Sequence, residues 1–293
     1  VSIYSIRDLE KLSGIKAHTI RIWEQRYDLL NPKRTDTNIR YYLEDDLKLL
    51  LNVALLNRNG YKISKIAKLS SDEIHQKVEE LTINTSEHLS QVDALTMAMI
   101  EMDEYKFDRI ITANINHIGF ERTIIEIIHP FLEKLSVLWL TGSVNPCQEN
   151  FITCLIRQKL IAAIDSEPVT LGNNIKKFVL FLPDKVNQEL SLLLMQYLIK
   201  SRKHRVIYLG GNLFPDDIQK VAEIVKPDYF FTIVSEFQND QQISKYLDEL
   251  QLKSGKAEVL VTGIQSHQST LAQKVGIHML KSLDDTISFL DNL

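Results

Sequence analysis

The chain has 293 residues and a formal net charge of −4, with two cysteines. That length allows two or three domains with their own cores. No apolar run approaches the roughly 20 residues of a membrane span, and two cysteines exclude a disulfide-built scaffold.

The opening segment VSIYSIRDLEKLSG lacks the basic-then-apolar layout of a signal peptide, so a cytoplasmic protein is expected. Charge is unevenly placed. Residues 1–42 hold eight basic side chains against five acidic ones, a balance of +3, which leaves −7 for the remainder. A basic head on an acidic body suits a protein that meets phosphates at one end.

In chain order, Ser5 can cap a first helix over IRDLEKLS, with Asp8 completing a capping box. Gly14 permits the turn at its end. A second helix follows in KAHTIRIWEQRYDLL, where Ile20, Trp23 and Tyr27 form an inner stripe. His18, Thr19, Arg21 and Arg26 are left for the outer face. Two short helices about a glycine turn predict a helix-turn-helix, whose second helix enters the major groove.

Pro32 ends that helix, and NPKRTDTNIRYYLEDD reads as a hairpin wing with Lys33, Arg34, Asn38, Arg40 and Tyr41 near its tips. Such side chains meet the nucleic-acid backbone and set register without reading bases. Asp45 and Asp46 open the next helix at its positive end. It closes near Gly60, and two further helical turns follow in YKISKIAKLSSDEIHQKVEEL.

The segment from Ile3 to Leu50 resembles the DNA-binding domain of the MerR family, through IRDLEKLSGI, TIRIWEQRY and NPKRTDTNIRYY. The later IAKLSSDEI fits the helix pair that follows the wing. The resemblance implies a double-stranded DNA operator, a homodimer or higher oligomer as the binding species, and RNA polymerase within reach as a partner. It also implies groove contacts from Thr19, Arg21 and Arg26, and backbone or minor-groove contacts from the wing, with Arg40 and Tyr41 foremost; Lys16 and His18 are counted as further DNA-binding residues.

Residues 84–167 carry apolar side chains at three- and four-residue spacing, which predicts a central four-helix bundle. Cys147 and Cys154 share a face of its last helix and are taken as small apolar residues. With two thiolates and no convincing partner in His117 or His129, no metal site is assigned.

From Lys176 strands and helices alternate, which predicts a flavodoxin-like, doubly wound parallel sheet. The whole is therefore a multidomain α and α/β chain, with domains at 1–80, 81–170 and 175–293. Ligands bind such sheets at the carboxyl ends of strands: here residues 184–188, 210–212, 235–237 and 263–265. No GxGxxG, P-loop or catalytic set stands at these ends, so no enzyme is expected.

Bundle followed by sheet, joined to this reader, resembles the cobalamin-binding module of the light-responsive MerR repressors of carotenoid genes. The resemblance places Trp139, Glu149 and Asn150 where the family has Trp and Glu-His over the cofactor's upper face. It places Val186, Gln188 and Ser191 on the family's Glu-x-His-x-x-Gly, whose His ligates cobalt. Ser235 and Gly263 complete the pocket positions. A neutral amide is a poor cobalt ligand beside an imidazole. The expectation is therefore a dimeric repressor without a cofactor, whose C-terminal half senses another ligand or a partner or mediates oligomerisation. Cobalamin held by non-His ligation, and a corrinoid carrier or enzyme, are the alternatives.

Overall fold

The computed structural model describes residues 3–34, 38–84, 88–140, 144–169, 172, 175–235, 240–263 and 275–293. The side chains of residues 75, 79–84, 88–90, 137, 139, 140 and 240 are outside that set. The chain forms two compact units, 1–155 and 156–293.

The first unit opens with β1 (Ile3–Tyr4) and α1 (Ile6–Ser13). Ser5 starts α1 as the sequence predicts. Its Oγ accepts from the Asp8 N–H at 3.3 Å, and its own N–H donates to Asp8 Oδ2 at 2.8 Å. Gly14 ends α1 at φ 68°, in the left-handed region that favours glycine. Next come α2 (Ala17–Tyr27), β2 (Lys33–Arg34) and β3 (Arg40–Leu43). β3 lies between β1 and β2 in an antiparallel sheet. Ile20, Trp23 and Tyr42 are buried beneath it, and Tyr27 is half-buried.

Helix α3 (Glu44–Arg58) follows directly. Asp46 accepts from the Leu43 N–H at 2.9 Å and from the Asn31 N–H at 3.2 Å, which ties both ends of the wing to the positive end of α3. Then come α4 (Ile63–Ile66), α5 (Ser71–Asn84), α6 (His88–Glu101), α7 (Glu104–Ile118) and α8 (Phe120–Thr123). Residues Ile124–Ile128 widen into a π turn that leads into α9 (His129–Leu140). α10 (Pro146–Ser166) begins with its proline in the first turn, where no N–H is missed. Every residue from 91 to 100 of α6 is buried, so this helix is the centre of the bundle. The division between the units falls inside α10.

The second unit alternates β4 (Lys177–Pro183), α11 (Glu189–Ser201), β5 (Arg205–Leu213), α12 (Pro215–Val225), β6 (Tyr229–Ile233), α13 (Asp240–Lys253), β7 (Glu258–Thr262), β8 (Ile277–Met279) and α14 (Leu283–Asp291). All strand pairs are parallel, in the order β5-β4-β6-β7-β8. That is the flavodoxin-like order, with its switch point between β4 and β6. Phe178, Phe181, Phe230 and Phe231 are buried along the two central strands.

Residues 210–212 stand at the carboxyl end of β5, which runs on to Leu213; the register with β4 shifts at Leu180/Phe181, and Gly210 takes φ 80°. One local expectation is corrected. Cys147 and Cys154 are exposed and form no disulfide, rather than packing as apolar filler, because the face of α10 that carries them points away from the buried Ile152 and Leu155. Residues 236–237, 264–265 and positions 266–274 of the helix expected over 266–276 lie outside the described residues.

Candidate nucleic-acid interface

Helix α2 presents Arg21, Ile22, Gln25 and Arg26 as exposed side chains, while Ile20 and Trp23 anchor it from below. Lys16 and His18 are exposed at its first turn, and Thr19 is half-buried. Lys16 pairs with Glu10 at 3.0 Å, and the other Glu10 oxygen accepts from the Ala17 N–H at 3.1 Å. Glu10 therefore supplies the cap that Lys16, as N-cap residue, does not. The Lys16 ammonium and the Ala17 N–H hold the Glu10 carboxyl below its ordinary pKa.

The wing carries the rest of the basic set. Lys33 stands opposite Tyr41, and Arg34 opposite Arg40, across the antiparallel pair. Like charges opposite one another destabilise a hairpin unless something answers them. Here each arginine has its own partner. Arg34 Nη1 donates to Asn38 Oδ1 at 2.6 Å, across the wing tip where Asn38 takes φ 62°. Arg40 Nε pairs with Glu24 of α2 at 3.3 Å, and Glu24 also accepts from the Tyr42 hydroxyl at 3.1 Å. Burial and then the adjacent Glu24 carboxylate push the Tyr42 hydroxyl up to about 12. Lys33, Arg34 and Asn38 are exposed, and Tyr41 is half-buried.

The structure thus brings Arg21, Arg26, Lys33, Arg34 and Arg40 into one small three-helix-and-wing module. Arg40 is the exception in kind: its charge is engaged with Glu24. Sequence reasoning passed over Ile22, which is 48% exposed on α2 and can meet a thymine methyl in a groove. It also passed over Lys62, Lys65 and Lys68, all exposed around α4. Their four-residue-or-less spacing on a short turn was the available signal.

The positions aligned with a cofactor pocket are described unit by unit. In the first unit Glu149 is half-buried and Asn150 exposed on α10, while the Trp139 side chain lies outside the described residues. In the second unit Gln188 is the residue that starts α11, and its Oε1 accepts from Ser191 Oγ at 3.3 Å. Val186 is buried beside it. Ser235 and Gly263 stand together at the ends of β6 and β7. A Cβ on Gly263 would lie 3.0 Å from the Ser235 nitrogen and 2.9 Å from Ile233 Cγ2, and Gly263 holds φ 88°. Ser235 Oγ is buried with no hydrogen-bond partner among the described residues. The loop after β4 offers no imidazole, and no cluster of three metal-ligating side chains exists among the described residues. These residues do not fit a His-ligated cobalt site.

Comparison with known proteins agrees with the reader. Residues 4–73 match the model of the MerR HTH family regulatory protein. The HTH-type transcriptional repressor CarH of Myxococcus xanthus is 23% identical over 296 residues, covering 96% of each chain. The HTH-type transcriptional repressor CarA of Myxococcus xanthus is 25% identical over 227 residues, 76% of this chain and 73% of its own. A solved cobalamin-binding protein from Desulfitobacterium hafniense DCB-2 overlays 69% of this chain and 97% of its own at 13% identity, with a TM-score of 0.35, too loose a superposition to bear on a ligand. No described helix is long and apolar enough to cross a membrane. Residues 4–73 form a MerR-type helix-turn-helix domain, and the chain is a DNA-binding transcriptional regulator.

Proposed function

We propose that the chain is a repressor that binds its operator as a homodimer, with residues 1–80 as reader, 81–170 as bundle and 175–293 as the sensing or oligomerising part. The observation that carries the reader is the arginine pair Arg34 and Arg40 held opposite one another, beside exposed Arg21 and Arg26. Cations gathered on one small module, several of them exposed, gain when a polyanion binds. α2 enters the major groove, and Arg21 and Arg26 meet base edges or phosphates there. Lys16, His18 and Thr19 contact the strand at the helix start. Lys33, Arg34, Asn38 and Tyr41 lie along the backbone beside it. One such module spans few base pairs, so two-fold pairing supplies the remaining specificity.

Selection from a random duplex library with the full chain tests this reading. The expected product is a two-fold-symmetric site that binds two chains, measured by sedimentation. Enrichment of an asymmetric site with one bound chain would contradict the dimer.

The sheet unit supports a second reading, a repressor that answers a small ligand. Ser235 Oγ is a buried hydroxyl without a partner among the described residues, at the carboxyl end of a strand, where such sheets take ligands. Gly263 lets the ends of β6 and β7 pack closely beside it. Cobalamin held without a His ligand is one occupant of that class, and the repressor resemblance in CarH and CarA is to proteins named only as repressors. Titration with adenosylcobalamin and methylcobalamin in the dark, followed by absorbance, separates the cases. A spectral shift with saturable binding supports a corrinoid sensor. A flat titration directs the sensor role to another ligand or a protein.

A further inference from the structure

The turn between α1 and α2 is held by α3 and, through it, by the bundle. Ser13 ends α1, and its Oγ donates to the Leu9 carbonyl at 2.6 Å and accepts from the Ile15 N–H at 3.1 Å. The Ser13 carbonyl is one of the helix-end oxygens left without an intrahelical donor. It accepts from Arg58 Nη2, at the far end of α3. Gly14 makes room for this: a Cβ there would collide with the same Nη2. The other side of the guanidinium, Nη1, pairs with Asp93 on α6. The second oxygen of Asp93 pairs with Lys134 Nζ on α9 at 3.0 Å. The Asp93 side chain is 12% exposed, so its charge depends on these two cations.

We propose that Arg58 is a positioning residue for DNA reading, through which the bundle sets how α2 is presented. One planar cation spans the turn before α2 and a carboxylate inside the bundle. That carboxylate is shared with α9, so a change in the spacing of α6 and α9 alters the hold on Arg58. A planar, forked guanidinium can serve a carbonyl and a carboxylate at once, while a lysine ammonium is a point charge on a flexible stem. Lys134 itself touches the reader only by way of Asp93 among the contacts that hold this network. The inference rests on the DNA-reading function proposed above.

The test is a double-mutant cycle on the full chain, with a duplex taken from the library selection and affinity read by fluorescence anisotropy. Lys134→Met should change the dissociation constant about three- to tenfold, although Lys134 is a bundle residue. In an Arg58→Lys background the same substitution should change it less than twofold. Thermal unfolding of each variant is measured alongside, and Lys134→Gln replaces Lys134→Met if the latter does not fold. If Lys134 variants shift stability but leave DNA affinity unchanged, or if the two effects simply multiply, the coupling is refuted. If the wild-type chain enriches no duplex at all, it is the DNA-reading function that fails, and the inference falls with it.

Discussion

Arg40 of the wing and Glu24 of the second reader helix form an ion pair at 3.3 Å, and the Tyr42 hydroxyl completes the same carboxylate at 3.1 Å. The pair joins two parts of the reader that sequence separates by the whole wing. It makes Arg40 a brace as well as a basic residue. The angle between α2 and the wing, which decides whether both can reach one duplex, depends on a side chain that itself repels phosphate.

Glu24→Gln is therefore expected to lower stability by about 1–2 kcal/mol, since it weakens two hydrogen bonds to a charged group. It should also free Arg40 for phosphate and steepen the salt dependence of DNA binding by about one counterion. Urea unfolding and anisotropy at several salt concentrations measure both. A stable variant with an unchanged slope would show that the brace is idle.

The Tyr42 hydroxyl gives a pH signature. Its pKa is raised from an ordinary value of 10 to about 12. A group that holds its proton more tightly when folded stabilises fully below the unfolded value, and that contribution is lost as pH rises through the folded one. The stabilisation should hold up to about pH 10 and fade between 10 and about 12. Tyr42→Phe should flatten this part of the stability profile and remove one late-titrating tyrosine from the ultraviolet titration.

Groove and backbone contacts separate by their response to sequence and salt. Arg34→Ala and Lys33→Ala should weaken binding to all duplexes alike, each lowering the salt slope by about one. Arg21→Ala or Arg26→Ala should cost about 1–3 kcal/mol on the selected site and relax its sequence preference at one position. Uniform losses from all four would place every one of them on phosphate.

At the strand ends, Ser235→Ala removes a buried hydroxyl that has no partner among the described residues. Unliganded protein should keep or gain stability by up to about 1 kcal/mol, because an unpaired buried polar group is costly. Gly263→Ala should destabilise by more than about 1 kcal/mol, given its φ of 88° and the backbone nitrogen of Ser235 at 3.0 Å from the added carbon. Thermal unfolding of the two variants checks the pair. A marked loss from Ser235→Ala would mean that the hydroxyl has a structural partner.

Much of this was legible in the sequence, for local reasons. The Ser5–Asp8 cap, the Gly14 turn and the Ile20–Trp23 stripe each lie within four residues of their partners, and the structure forms them as read. The alternation after Lys176 gave the parallel sheet, because buried strands and amphipathic helices differ in period. What was missed is non-local. β1 has two residues and no period to detect; only Leu43 and Tyr42 across from it make it a strand. Arg40 reads as a free wing cation until the hairpin folds back on Glu24. Arg58 and Asp93 carry no motif at all, and the bulge at Gly210 arises from register with β4.

The most direct measurement is the affinity of the full chain for its selected duplex across a salt series, beside Arg21→Ala with Arg26→Ala. Tight, sequence-selective binding is expected, with a linear fall of log affinity against log salt and loss of selectivity in the double variant. Weak binding that ignores sequence and salt, or a double variant that binds as the wild type does, would contradict it.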